Sequence, residues 1–230
     1  LISMTIMVGC PLQNRAWILP SFLNSLQKLE YPKNDIHLTF LDDGSTDNSY
    51  NLLQQFKSIF EPLYYKIDIW RKTSEYQDTR EKQRDYQHFA DTRNTWLSMR
   101  NEDDYLIFSV DSDILVPPTI LSQLIKDQYN TRANIVSALI YNGFEVYNLA
   151  TKSKIGHYIH LFPKTNSIFN VDVTGACMLI TRETLDAGCS FNFHRQGEDV
   201  AFCESVYDRF GEGTIFCDTS IQPQHIMEKN

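Results

Sequence analysis

The sequence predicts an α/β protein whose mostly parallel sheet is flanked by helices. Three observations predict it. Short apolar runs alternate with amphipathic stretches in βαβα order over the first 60 residues, an order that calls for parallel strands joined by crossover helices. The run Leu106-Ile107-Phe108-Ser109-Val110 is too short for a helix and reads as a buried strand. That strand ends in Asp111-Ser112-Asp113, two carboxylates where an open α/β sheet binds its ligand.

The elements follow in order. Ile2 to Val8 is a first apolar strand, and Gly9 to Arg15 the loop after it. Ile18, Phe22, Leu26 and Leu29 give Trp17–Leu29 a helical period, which Tyr31-Pro32 ends. Ile36–Leu41 is a second strand closed by Asp42-Asp43-Gly44-Ser45-Thr46-Asp47, and a helix runs from about Ser49 to Phe60. Tyr64–Trp70 can form a third strand. The densely charged stretch from Arg71 to Asp91 reads as a mobile loop leading into a helix that continues through Leu97. Beyond the central strand, Pro117-Pro118 stops extended structure and Thr119–Tyr129 is helical. Asn134–Ile140 is a further strand, and residues 141–170 are irregular, aromatic and suited to cover a cleft. Val171–Ile180 passes from loop to strand, with a turn near Gly188. Gly197 opens a helix to about Phe210, Thr214–Cys217 is a late strand, and His225 follows Pro223.

No linker or repeat interrupts this order, so residues 1–230 read as one domain. The formal charge of −8 makes a nucleic-acid backbone an unfavourable partner. A nucleotide remains open, because a metal can bridge acidic side chains and a diphosphate. Cys10, Cys177, Cys189, Cys203 and Cys217 form no CxxC pair and no even framework, which suits a reducing compartment. No apolar run approaches the ~18 residues of a spanning helix. The expected location is cytoplasmic, with a module of a longer or membrane-associated protein as the alternative.

Three acidic constellations carry the chemistry. Asp111 and Asp113 offer hard oxygen ligands suited to Mg²⁺ or Mn²⁺. Asp42 and Asp43, ahead of Gly44, can accept from a nucleobase and a ribose hydroxyl, although such residues also make ordinary turns. Glu198-Asp199 can supply a general base, or can serve only the helix dipole.

Taken in order, Val8-Gly9-Cys10-Pro11-Leu12-Gln13-Asn14-Arg15, Asp42 to Asp47, Ala90-Asp91-Thr92-Arg93-Asn94, Asp111-Ser112-Asp113, Thr174-Gly175-Ala176 and Gly197-Glu198-Asp199 resemble the GT-A glycosyltransferases, especially the family 2 type. The resemblance implies the GT-A fold, a Rossmann-like, mixed, mostly parallel sheet flanked by helices, as one catalytic domain with a donor-binding half of about 1–115 and an acceptor-side half of about 116–230. It implies transfer of a sugar from a nucleotide-diphosphate donor, UDP before GDP, to an acceptor hydroxyl with inversion. It places Pro11, Leu12, Asn14, Asp42, Asp43, Arg93, Asp111 and Ser112 around the donor. Asp113, with Asp111 and His225, would hold Mn²⁺ or Mg²⁺. Thr174 and Gly175 would border the acceptor and sugar pocket, Asp199 would be the base, and Glu198 its neighbour. The acceptor could be a glycan, a lipid-linked sugar, a protein or a small molecule. A retaining mannosyltransferase of the Anp1 type and a non-catalytic sugar- or nucleotide-binding module remain the alternatives. A sugar-nucleotide pyrophosphorylase would need a Gly-rich basic first loop, which Gly9 to Arg15 lacks.

Overall fold

The central strands are buried at nearly every position, so this sheet has two buried faces, and helices cover both. The computed structural model describes residues 4–77, 84–163 and 166–227. In chain order the first half contains β1 (Thr5–Leu12), α1 (Leu19–Gln27), β2 (Ile36–Asp43), α2 (Ser49–Phe60), β3 (Lys66–Lys72), α3 (Tyr86–Leu97), β4 (Asp104–Val110) and β5 (Ile114–Leu115). The second half adds α4 (Ile120–Thr131), β6 (Ile135–Ala138), β7 (Ala150–Lys152), β8 (Tyr158–His160), β9 (Ile168–Asn170) and β10 (Cys177–Thr181). It ends with α5 (Arg182–Asp186), α6 (Glu198–Phe210), β11 (Ile215–Asp218) and β12 (Gln224–His225).

Eight strands make one sheet in the order β3-β2-β1-β4-β10-β6-β11-β9. The first four run parallel, and β10 is antiparallel to both β4 and β6. On one face Ile6, Val8, Phe108 and Val110 pack with Phe22 and Leu26 of α1, Leu53 of α2 and Leu124 of α4. On the other, Met7 and Ile107 pack with Trp96 of α3, Leu185 of α5 and Phe202 of α6. Burying each such side chain contributes roughly 1.5–3 kcal/mol, so the strand ends rest on a fixed floor.

The first strand differs from its expected form. It runs on past Gly9, with Pro11 and Leu12 paired to Leu41 and Asp42. Beyond Gly9 β1 pairs with β2 alone, an edge where proline's missing N–H is tolerated. Gly9 is obligatory: its φ is +149° and a Cβ there would lie 1.8 Å from the Thr39 carbonyl oxygen. Trp96 Nε1 donates to that same oxygen at 3.1 Å.

β3 begins two residues later than Tyr64. Residues 78–83 of the charged stretch lie outside the described residues, and α3 begins at Tyr86, where Asp85 accepts from the His88 N–H as N-cap. Residues 141–170 are more regular than their composition suggests. They contain the β7–β8 hairpin and β9, which joins the sheet edge beside β11. Helix α5 has no counterpart in the sequence pattern, because five residues are too few to show a period.

Candidate functional site

The C-terminal ends of β1, β2 and β4 converge, and the antiparallel course of β10 delivers Thr174-Gly175-Ala176 to the same place. The Asp111 N–H donates to the Ala176 carbonyl at 2.8 Å. The two-residue β5 pairs with β12, setting Ile114 opposite His225. That pairing brings His225 beside Asp113 across more than a hundred residues of sequence, a juxtaposition without any local signal.

Arg93 is the hub. From α3 its Nη2 donates to Asp111 Oδ1 at 3.1 Å and its Nε to Glu198 Oε1 at 3.1 Å, with Asp199 Oδ1 at 4.0 Å. Burial works against its charge, but Asp111, Asp199 and Glu198 outweigh that effect and hold it protonated. Burial pushes Asp111 above the usual carboxylate range, with Arg93 opposing and Asp113 adding to the rise. Asp199 is raised to about 7 by burial and by Glu198 and Asp111, against the pull of Arg93. Its Oδ1 is buried without a hydrogen bond. Gly175 lies against this carboxylate so closely that a Cβ would meet Asp199 Oδ2 at 2.3 Å. Asn148 pins the Gly175 carbonyl at 2.9 Å.

Two cavities meet at this hub. The smaller, about 170 Å³, is lined by Pro11, Leu12, Gln13, Asp43, Phe89, Ser112 and Asp113 among others. The larger, about 690 Å³, is lined by Thr174, Gly175, Asp199 and His225, together with Trp17, Tyr86, Tyr147, Asn148, Tyr158, His160 and Gln196. Of these additional residues, Tyr147, Tyr158 and His160 fall in the aromatic segment read as a cleft cover. Trp17, Tyr86 and Gln196 carried no sequence signal.

The Asp42–Asp43 pair is divided by the fold. Asp43 lines the small cavity, with His88 Nε2 at 2.5 Å and Lys72 Nζ at 3.3 Å. Asp42 is fully buried, accepting from the Ser45 N–H and paired with Arg71 Nε at 3.0 Å. Asn14 is also occupied. Its Oδ1 accepts from the Thr46 N–H and its Nδ2 donates to Gln77, so it ties the first loop to the Asp-rich one.

The donor set fits a hard divalent cation. His225 Nδ1 faces the Tyr141 carbonyl at 3.1 Å and must donate to it, which directs Nε2 toward Asp113 Oδ2 at 3.7 Å. A backbone carbonyl on the far ring nitrogen is the usual setting of a metal-binding imidazole. Burial raises Asp113, but His225 and Arg15 more than offset it, so this carboxyl sits below its ordinary range. Among the described residues no three His, Cys, Asp or Glu side chains close on one position. An ion held there would have few protein ligands and would leave room for phosphate oxygens. Asp111 is turned to Arg93 rather than to His225.

The fold is that of the GT-A glycosyltransferases. The mannosyltransferase PcManGT from Pyrobaculum calidifontis, solved with GDP-Man and Mn²⁺, superimposes with a TM-score of 0.70 at 14% identity, over 97% of this chain and 57% of its own. S. aureus TarS 1-349 with UDP-GlcNAc gives 0.67 at 15% identity, over 99% of this chain and 59% of its own. The family is glycosyltransferase family 25: its N-terminal domain model matches residues 3–179, and the chain belongs to that family. Procollagen galactosyltransferase 2 of Mus musculus is 24% identical over 150 residues, 61% of this chain and 24% of the relative. A glycosyltransferase 25 family member of Drosophila melanogaster is 34% identical over 73 residues, 32% of this chain and 12% of the relative. The matches thus span about a quarter or less of these relatives. The expected glycosyltransferase class and GT-A fold are borne out, and the family model gives the family as glycosyltransferase family 25. Glu198, Asp199 and His225 lie beyond the residues that the family model matches.

Proposed function

We propose that the chain is the catalytic domain of a metal-dependent glycosyltransferase that transfers a sugar from a nucleotide-diphosphate donor to an acceptor hydroxyl with inversion. A UDP-sugar is the first donor to test and a GDP-sugar the next. The observation that carries this reading is the Arg93 hub, which joins the end of β4 to the start of α6 at the meeting of a small and a large cavity.

In this reading Pro11, Leu12, Asp43 and Ser112 hold the nucleoside and phosphates. Asp42 and Asn14 support them from behind. Asp113 and His225 would hold Mn²⁺ or Mg²⁺, which when bound supplies Lewis-acid neutralisation of the leaving diphosphate. Asp199 takes the proton of the attacking hydroxyl. A carboxylate raised to about 7 is a stronger base than a free one and is still substantially ionised near neutrality. Gly175 lets the base seat deeply, while Arg93 keeps Glu198 and Asp111 from repelling it outright. Attack from the large cavity, opposite the leaving phosphate, inverts the anomeric centre. The aromatic and amide lining of that cavity suits a sugar-bearing or hydroxyl-bearing acceptor. The galactosyl and procollagen in a relative's name make galactosyl transfer to a protein-borne hydroxyl the first pairing to assay. Glycan, lipid-linked and small-molecule acceptors follow.

Thermal unfolding with UDP, GDP, CDP, ADP and dTDP, each with and without Mn²⁺, tests the donor site. A ligand at a hundred times its Kd stabilises the native state by about 2.7 kcal/mol. The expected outcome is a Mn²⁺-dependent shift for one nucleotide that Asp113→Ala removes. Absence of a shift with all five would end the transferase reading.

A further inference from the structure

Six residues line both cavities: Arg15, Arg84, Arg93, Asp111, Asp113 and Glu198. They form the throat in which, on the function proposed above, the sugar–phosphate bond breaks. Four have partners within the fold. Arg93 is shared by Asp111 and Glu198, and Asp113 faces His225. The guanidinium groups of Arg15 and Arg84 differ: among the described residues neither makes a hydrogen bond or an ion pair. The backbone around Arg15 is nevertheless fixed, since its N–H donates to Ser49 Oγ at 2.7 Å and the Ala16 N–H to Asp47 Oδ2 at 2.9 Å. The loop is pinned and the side chain is spare. Both charges are felt across the throat, Arg15 by Asp113 and Arg84 by Asp199.

Charge decides what such a throat admits. Three carboxylates against Arg93 alone would repel an anionic phosphate group; three carboxylates against three guanidiniums would not. A guanidinium also matches a phosphate with two parallel N–H donors, which an ammonium does not do. The other cation beside the small cavity is committed: Lys72 pairs with Asp43, on which His88 also closes.

We propose that Arg15, assisted by Arg84, binds the donor's diphosphate and takes up the charge of the leaving group. This rests on the transferase reading. As the bond from the anomeric carbon to the terminal phosphate oxygen breaks, its electron pair stays on that oxygen and the guanidiniums meet it. The acceptor oxygen forms the new bond to the same carbon, and its proton passes to Asp199. The two arginines thus complement Asp113 and His225 from the protein side, so diphosphate recognition persists in part when divalent cations are removed.

The experiment is calorimetric titration of UDP, GDP, uridine and guanosine into the wild-type chain, R15K, R15Q and R84Q, first in EDTA and then in Mn²⁺. Circular dichroism confirms the fold of each variant. For whichever diphosphate binds, the expected result is a Kd raised at least tenfold in R15Q and less in R84Q. R15K should recover part of the loss, and nucleoside binding should be unchanged. The fold-loss should be larger in EDTA than in Mn²⁺. A diphosphate that binds R15Q and R84Q as tightly as the wild type overturns the assignment and leaves the donor site standing. An equal loss for nucleoside and diphosphate also overturns it, since that marks a merely structural role. A wild-type chain that binds no diphosphate in either condition brings down the donor reading itself.

Discussion

The two ends of the sheet carry two buried charge clusters of opposite character. At the N-terminal ends of the strands, His37 is fully buried between Asp104, 2.8 Å from Nδ1, and Asp68, 3.0 Å from Nε2. Asp104 also accepts from Thr5 Oγ1 and the Asn101 N–H, and Lys66 closes on Asp68 at 2.7 Å. These carboxylates are fully served, and both sit below the usual range once their hydrogen bonds overcome burial. At the other end one guanidinium serves three carboxylates, one of them keeps a buried oxygen without a hydrogen bond, and two cavities open onto the group. A satisfied network fixes a structure, whereas an under-satisfied one beside a cavity is held by the rest of the fold and is available for chemistry.

The contrast breaks most sharply under substitution. Asp199→Asn should lower transfer by roughly 10²–10⁴-fold, the range of a general base, while nucleotide binding and fold persist. Gly175→Ala, which drives a methyl into the Asp199 carboxylate, should lower turnover about 100-fold through misplacement alone. Asp104→Asn should do the reverse, costing about 3 kcal/mol of stability and leaving nucleotide affinity where it was. Single-turnover assays paired with denaturant unfolding separate the two classes. An Asp199→Asn chain that turns over normally, or an Asp104→Asn chain with wild-type stability, would remove the distinction.

The two ends were also unequally legible in the sequence. Strand cores, the Ser49–Phe60 helix and the start of α6 could be read because period and cap are local properties. The acidic motifs could be read because ordered strands must end somewhere and carboxylates at those ends stand out. What could not be read depended on contacts distant in sequence. Nothing local separates Asp42, sealed by Arg71, from Asp43, open to the cavity. Likewise His225 reaches Asp113 only because β12 pairs with β5. The His37 cluster has no local signal either, for an isolated histidine in an apolar strand gives no hint of the aspartates that two other strands supply.

The smallest expected effect is the pH dependence of stability, where the two ends should move in opposite senses. The Asp199 pKa is raised from 3.8 to about 7 in the folded chain. A raised carboxyl favours the native state most at low pH, and that contribution is lost as pH climbs from about 4 through 7. Asp199→Asn has no such proton to lose. Its stability relative to wild type should therefore rise between pH 5 and pH 8, by about 1–2 kcal/mol once screening of a side chain 30% exposed is allowed for. Asp104 and Asp68 are depressed, so their contribution is present above the unfolded value near 3.8 and fades as acid protonates them. The deficit of Asp104→Asn should accordingly be full at pH 7 and shrink below pH 4. Urea titrations of the three chains across pH 3–8 make the comparison directly. If the Asp199→Asn difference stays flat from pH 5 to 8, the carboxylate is ordinary, and the under-satisfied cluster has given its base no special strength.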